Sequence, residues 1–187
     1  MATSVSICSN ALQMLGQNSF SSFEESNDFV RAAANIYPTA RDHVLRSHYW
    51  NCAIKRVILA PLTEKPPFDF GYQFSLPGDW IRTLQIGETN RPISFQVEGN
   101  RILANVSVLP IVYVFRNEVE ATWSANLIKV MELYMASQMA YIVTGSTSLR
   151  DSYRDEYMRE LKVAKAIDGQ DNPPEEFPEG TLRASRF

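Results

Sequence analysis

Cysteine is scarce in this chain: its 187 residues contain two, Cys8 and Cys52. Two cannot build the disulfide framework of a small secreted domain. Long apolar runs are missing as well. The longest, residues 108–115, includes Pro110, whereas a membrane-spanning helix needs roughly 20 apolar residues, so no membrane partner is expected. The first residues, Met1-Ala2-Thr3-Ser4-Val5-Ser6, have neither the basic start nor the apolar stretch of a signal peptide. The expectation is synthesis in an intracellular, reducing compartment.

A basic excess is also missing. The chain has 18 Lys and Arg against 21 Asp and Glu, a net charge of −3. Five of the acids and two of the bases lie in residues 168–187, so residues 1–167 are neutral. A protein that grips DNA through its phosphates needs the opposite balance. What is present is a 45% hydrophobic composition, which excludes a wholly disordered chain. A chain of this size hides roughly 70% of its unfolded surface on folding.

Residues 4–16 predict a short helix, with Ile7, Ala11, Leu12 and Leu15 at helical spacing and Gly16 at its C-cap. Ser22-Phe23-Glu24-Glu25 has the form of a capping box. A second helical stretch runs from there to about His48, its apolar face marked by Phe29, Ala33, Ile36, Tyr37, Ala40, Val44 and His48. Pro38 inside it predicts a kink or a break. Residues 51–119 hold six of the ten prolines, and short β-rich runs alternate there with turn signals. The candidate strands are 52–59, 72–76, 81–86, 93–97, 101–104 and 108–115, with Glu98-Gly99-Asn100 as a hairpin turn. Helical period returns at Trp123 and ends before Gly145. A further helix, capped from Ser148-Leu149-Arg150-Asp151, carries the stripe Leu149, Tyr153, Tyr157, Leu161 and Ala164. After Asp168 the prolines at 173, 174 and 178 predict an extended tail.

The expected fold is therefore α+β: an antiparallel helical bundle from residues 1–50 and 120–167, a small antiparallel β subdomain inserted at 51–119, and an extended tail at 168–187. The ends of the insertion should lie close together.

Signatures of chemistry are sparse. His43 and His48 are five apart, about 140° around a helix, not the i,i+4 spacing of a metal pair. Nucleophile-elbow, phosphate-loop and dinucleotide-binding motifs are absent. His48 near Cys52 offers a thiol–imidazole pair, although a cysteine is more often a small buried hydrophobe. Acid pairs at 24/25, 118/120 and 175/176 carry no weight by adjacency alone. The densest cluster is 37–56. There Arg41, Arg46, Lys55 and Arg56 could meet nucleic acid while Tyr49 and Trp50 stack on bases. The plainer reading is a helix end packing aromatics on a sheet, with arginines pairing acids such as Asp42.

This cluster also carries a resemblance. Tyr37-Pro38-x-Ala40-Arg41-Asp42-x-Val44-Leu45-Arg46-Ser47-His48-x-Trp50-Asn51-Cys52-Ala53 resembles the tail tubular protein A family of short-tailed bacteriophages, the head-to-tail adaptor, gatekeeper or neck proteins. Asn10-Ala11-Leu12-x-Met14-Leu15-Gly16, Leu59-Ala60-Pro61, Gly71-Tyr72-x-Phe74-x-Leu76-Pro77-x-Asp79 and Ala140-Tyr141-Ile142-x-Thr144-Gly145-Ser146 look similar too, in the family's order. The resemblance implies a non-enzymatic virion protein of the neck, assembled in the bacterial host cytoplasm. It implies a ring of twelve copies between the portal protein ring and the tail nozzle protein, near the tail fibres. Packaged DNA would be retained there and later exit through the channel without sequence-specific binding. No catalytic residue, metal ligand or cofactor comes with that role. In the 168–187 tail, Phe177, Leu182 and Phe187 would serve as apolar anchors and Arg183 and Arg186 as hydrogen-bonding charges for the portal. The alternative is a tail-associated hydrolase acting on polysaccharide or peptidoglycan, recognisable by a cleft with converging acids, one of them shifted in pKa.

Overall fold

The computed structural model describes residues 1–88 and 91–171. It is α+β. Helices α1 (Ser4–Met14) and α2 (Asp28–Arg46) precede the strands, and α3 (Ala125–Thr144) and α4 (Thr147–Asp171) follow them. Between lie β1 (Ile54–Leu59), β2 (Tyr72–Ser75), β3 (Trp80–Glu88), β4 (Arg91–Pro92), β5 (Phe95–Glu98), β6 (Arg101–Ala104) and β7 (Leu109–Phe115). One sheet has the order β1-β7-β3-β4 and the other β2-β6-β5, and every pairing is antiparallel.

Each helix end has a local cause. Thr3 and Ser6 form a reciprocal capping box at the start of α1. At its end Gly16, at φ +81°, donates to the Gln13 carbonyl while the Gln17 N–H reaches back to Leu12. That pair of bonds is the Schellman arrangement, which a left-handed glycine permits. The capping box expected at Ser22–Glu25 does not start a helix. The Glu25 carboxylate instead accepts from the backbone N–H groups of Ser21 and Ser22 and closes a turn. Asn27 then caps α2 by accepting from the Phe29 N–H at 2.8 Å. Nor does Pro38 break α2, which is continuous through it. A proline forfeits one backbone bond, and here Tyr37, Ala40, Arg41 and Val44 are buried around it.

The two cores divide the molecule. Leu12, Val44, Leu45, Trp50, Leu127, Met131 and Met135 lead the larger one, which joins all four helices and takes in Ile81 and Val114 from the sheet. Phe74, Ile86, Ile102, Leu109, Ile111 and Tyr113 form the smaller one between the two sheets. The strand alternation follows. In β7, Leu109, Ile111 and Tyr113 face the second sheet, while Val114 faces the helices.

The strand positions expected from sequence stand within two or three residues. The 52–59 run opens with a short 3-10 turn, Asn51–Ala53, before β1. The two-residue strand β4 was not foreseen. The Glu98–Arg101 pairing closes the expected hairpin around Gly99 and Asn100. The β1–β7 ladder pairs Ile54 with Val114, which puts the entry to and exit from the stranded region side by side.

One boundary is corrected. The tail was expected to begin at Asp168, but α4 runs to Asp171, and Asp168 is only 8% exposed. The helix continues past Asp168, whose carboxylate is held by the Asn51 N–H, while Gly169, Gln170 and Asp171 are exposed. Residues 172–187 therefore hold three acids and two bases, and two acids assigned to the tail belong to the folded body.

Gly145 caps α3 at φ +68°, and a Cβ there would meet nothing within 4 Å. Gly145→Ala should thus cost backbone strain alone, about 1–2 kcal/mol. Gly78 has open space too, without the positive φ. Gly78→Ala should be neutral or stabilising by up to ~1 kcal/mol. Thermal unfolding of both variants checks the contrast, and equal shifts would contradict it.

Candidate functional site

The cluster at residues 37–56 sits where α2 hands the chain to β1. Its cations are mostly spent inside the protein. Arg41, 8% exposed, reaches Asp42 at 3.0 Å and Glu118 at 3.0 Å. Arg116 holds the other oxygen of Asp42 at 2.8 Å. Arg46 donates to the Ile81 carbonyl at 2.5 Å. Lys55 pairs with Asp79 at 2.6 Å and lies over the Phe115 ring. The aromatics are committed as well. Trp50 is fully buried and donates its indole N–H to the Val44 carbonyl at 3.0 Å. Tyr49 carries the Arg82 guanidinium over its ring and accepts from it at 2.6 Å. This arrangement is the helix end packed on a sheet, with arginines pairing acids, and it leaves little of a basic stripe for nucleic acid. Arg56 is the exception. It is exposed and makes no hydrogen bond or ion pair among the described residues.

The end of α4 closes onto the same junction. The Asp168 carboxylate accepts from the Asn51 backbone N–H at 3.2 Å and lies 3.4 Å from His48 Nε2. The Asn51 side-chain amide returns the contact by donating to the Asp168 carbonyl at 2.6 Å. His48 meets the Trp50 ring edge-on, with centroids 4.9 Å apart. Burial dominates the electrostatics of this clasp. It lowers the His48 pKa despite the attraction of Asp168, and it raises the Asp168 carboxyl despite the donors from Asn51 and the pull of His48. Both groups are pushed toward their neutral forms.

Beside the clasp lies a cleft of about 630 Å³, lined by Asn51, Cys52, Arg56, Trp123, Asp168 and Asp171 among others. The Trp123 indole nitrogen is buried without a hydrogen-bond partner. The thiol–imidazole pair is not set up for nucleophilic work: burial and the charge of Asp168 push the Cys52 thiol up to about 11, far above the range of an activated thiolate. Cys8 is buried and pushed up to about 12. His43 lies elsewhere, stacked on Tyr134 with centroids 5.0 Å apart. Among the described residues no group of three or more His, Cys, Asp or Glu is placed to hold a metal ion. No helix described is long and apolar enough to cross a membrane.

The residues expected to reach a partner ring, Phe177, Leu182, Arg183, Arg186 and Phe187, lie outside the described residues. Sequence reasoning missed two others that organise the site. Asp168 was read as tail because prolines follow it. Asn117 carried no signal at all, yet its buried side chain donates to the Cys52 carbonyl at 2.7 Å and to Thr122 Oγ1 at 2.9 Å. Compared with known proteins, the chain matches no family model and no curated protein.

The lowered His48 pKa sets a pH dependence. The folded state favours neutral His48, so its stabilising share is present above the unfolded value of about 6.5 and is lost as pH falls toward the folded pKa. Urea unfolding of wild type and His48→Gln between pH 7.5 and 5 should show the wild-type advantage shrinking on acidification. An advantage that grows as pH falls would contradict this sign.

Proposed function

We propose that the chain is a structural virion protein: a head-to-tail adaptor that joins a portal ring to a tail nozzle, helps retain packaged DNA and forms part of its exit channel. In this reading the helices form an antiparallel bundle, the strands form an inserted subdomain, and residues beyond Asp171 form an extended arm toward the portal. One observation supports it most. The longest stretch of family resemblance, residues 37–53, is the segment that builds the junction between helices and strands, through Arg41, Asp42, Arg46, Trp50 and Asn51. Such residues are constrained by architecture, which suits a likeness of fold and assembly more than of chemistry. The internal use of Arg41, Arg46 and Lys55 fits as well. A channel that must release DNA gains from few phosphate contacts, since each one slows sliding.

The hydrolase reading has one observation in its favour. Asp168 and Asp171 both line the cleft, and burial raises Asp168. Against it, the Asp168 carboxylate is engaged by the Asn51 N–H and His48, so it acts as a clasp instead of a free acid. Turnover of a polysaccharide that Asp168→Asn abolishes would restore that reading.

The mass of the protein alone and mixed with portal rings tests the adaptor. The expected outcome is a defined complex in which a ring of about twelve copies adds to the portal, lost when residues 172–187 are deleted. No association of the full chain with portal would overturn the proposal.

A further inference from the structure

A separate cavity of about 580 Å³ opens where α2, α3 and α4 meet, within the roughly 300–1,000 Å³ of small-molecule sites. Its polar walls come from His43 on α2, Tyr134 and Gln138 on α3, and Arg150, Arg154 and Tyr157 on α4. No acid among the described residues lines it. Asp151 holds Arg150 at 3.0 Å from outside the lining. Asp155 follows Arg154 in sequence but does not reach the cavity wall, and Arg154 makes no ion pair or hydrogen bond among the described residues. Tyr157 is 5% exposed, yet its hydroxyl has no hydrogen-bond partner among the described residues. Buried polar groups ordinarily have one, and the cavity is where this hydroxyl must find it. The Tyr134 ring lies 4.9 Å from that of Tyr157 and is stacked on His43 at 12°; its hydroxyl is unbonded as well. Burial and the neighbouring Tyr134 push Tyr157 up to about 12, and burial raises Tyr134 against the charge of Arg154. Both hydroxyls therefore stay protonated at neutral pH and are able to donate.

We propose that this cavity binds a small phosphate monoester carried on an apolar or aromatic body. Charge selects an anion, since the lining offers cations and neutral donors without a competing carboxylate. The number of donors selects phosphate over carboxylate. Arg154 alone presents five N–H groups in a fork that matches phosphate oxygens. The Tyr134 and Tyr157 hydroxyls add two donors, and His43 and Gln138 stand beside them. Together they outnumber what the two oxygens of a carboxylate accept, and a phosphate monoester brings three strong acceptor oxygens. Depth selects a terminal phosphate over the backbone of a duplex. The Tyr157 hydroxyl sits on a side chain that is almost wholly covered, where a group on a narrow stem reaches and a phosphodiester flanked by sugars does not. The body of the ligand is set by the remaining walls, the Met158 and Leu161 side chains and the stacked His43 and Tyr134 rings, which offer apolar contact and a face for an aromatic ring. This site shares no residue with the junction at 37–56 apart from His43 and Ser47, and the inference goes beyond the adaptor reading without resting on it.

Calorimetric titration of phenyl phosphate into the full chain at low salt tests it. Wild type should bind one equivalent. Arg154→Gln, a change at an exposed and unpaired side chain, should weaken binding at least about tenfold. Tyr157→Phe removes only the unbonded hydroxyl and should weaken binding by about threefold or more, with circular dichroism confirming that both variants are folded. Arg56→Gln, at an arginine outside the cavity, should bind as wild type does. Inorganic phosphate and benzoate, which carry half of the recognised chemistry each, should both bind more weakly than phenyl phosphate. No binding to wild type would overturn the proposal. So would binding that is indifferent to Arg154→Gln and Tyr157→Phe, or benzoate binding as tightly as phenyl phosphate. Displacement of phenyl phosphate by a short DNA duplex would overturn it in favour of a nucleic-acid backbone as the occupant. No portal is needed, so failure here is distinguishable from failure of the adaptor reading.

Discussion

The chain crosses twice between its helices and its strands, and both crossings are held by one buried amide. Asn117 is 4% exposed. Its Nδ2 donates to the Cys52 carbonyl on the way in and to Thr122 on the way out, while its Oδ1 accepts from the Val119 N–H at 3.0 Å. A crossing of this kind places irregular backbone under cover, where each unpaired polar group costs about 1–3 kcal/mol. One buried side chain that meets three partners along the seam ties both crossings together between α2 and α3. The ion pairs around it, Arg41 and Arg116 on Asp42 and Arg41 on Glu118, add geometry to the same seam. Tyr37 on Glu120 and Asp168 on Asn51 then fasten α2 and α4 to its two ends.

Much of the fold was legible because periodicity reports burial directly. The helical stripes of α3 and α4 and the presence of a strand at β7 could be read in advance, and so could the Gly16 and Gly145 ends, where the backbone is left-handed; which β7 residues face which core could not, because the run is apolar throughout. Helix starts were less legible. A Ser-x-x-Glu sequence looks alike whether its carboxylate caps a helix or closes a turn, and Glu25 does the second. The end of α4 was misplaced for a similar reason. The later prolines argue locally for a stop, while Asp168 is held by Asn51, more than a hundred residues away in sequence. Long-range polar contacts leave no periodic trace, so neither Asn117 nor the Asp168 clasp could be found before the fold was known.

The same limit applies to charge. From composition, the chain is a nearly neutral body with an acidic tail. The structure redistributes that arithmetic. Asp168 and Asp171 belong to a helix, and the cations of the 37–56 cluster are tied to acids or carbonyls, except Arg56. Under the adaptor reading proposed above, cations held inside the protein leave few phosphate contacts to slow DNA.

The dependence of both cores on one seam is tested most directly by Asn117→Ala, with unfolding followed by helical circular dichroism and by the fluorescence of the chain's tryptophans. Wild type should unfold in a single transition seen alike by both probes. The variant should lose about 1–3 kcal/mol, the cost of removing a buried, hydrogen-bonded side chain and leaving the half-buried Cys52 carbonyl without its donor. A variant within ~0.5 kcal/mol of wild type, or a wild type whose two probes report separate transitions, would contradict the account.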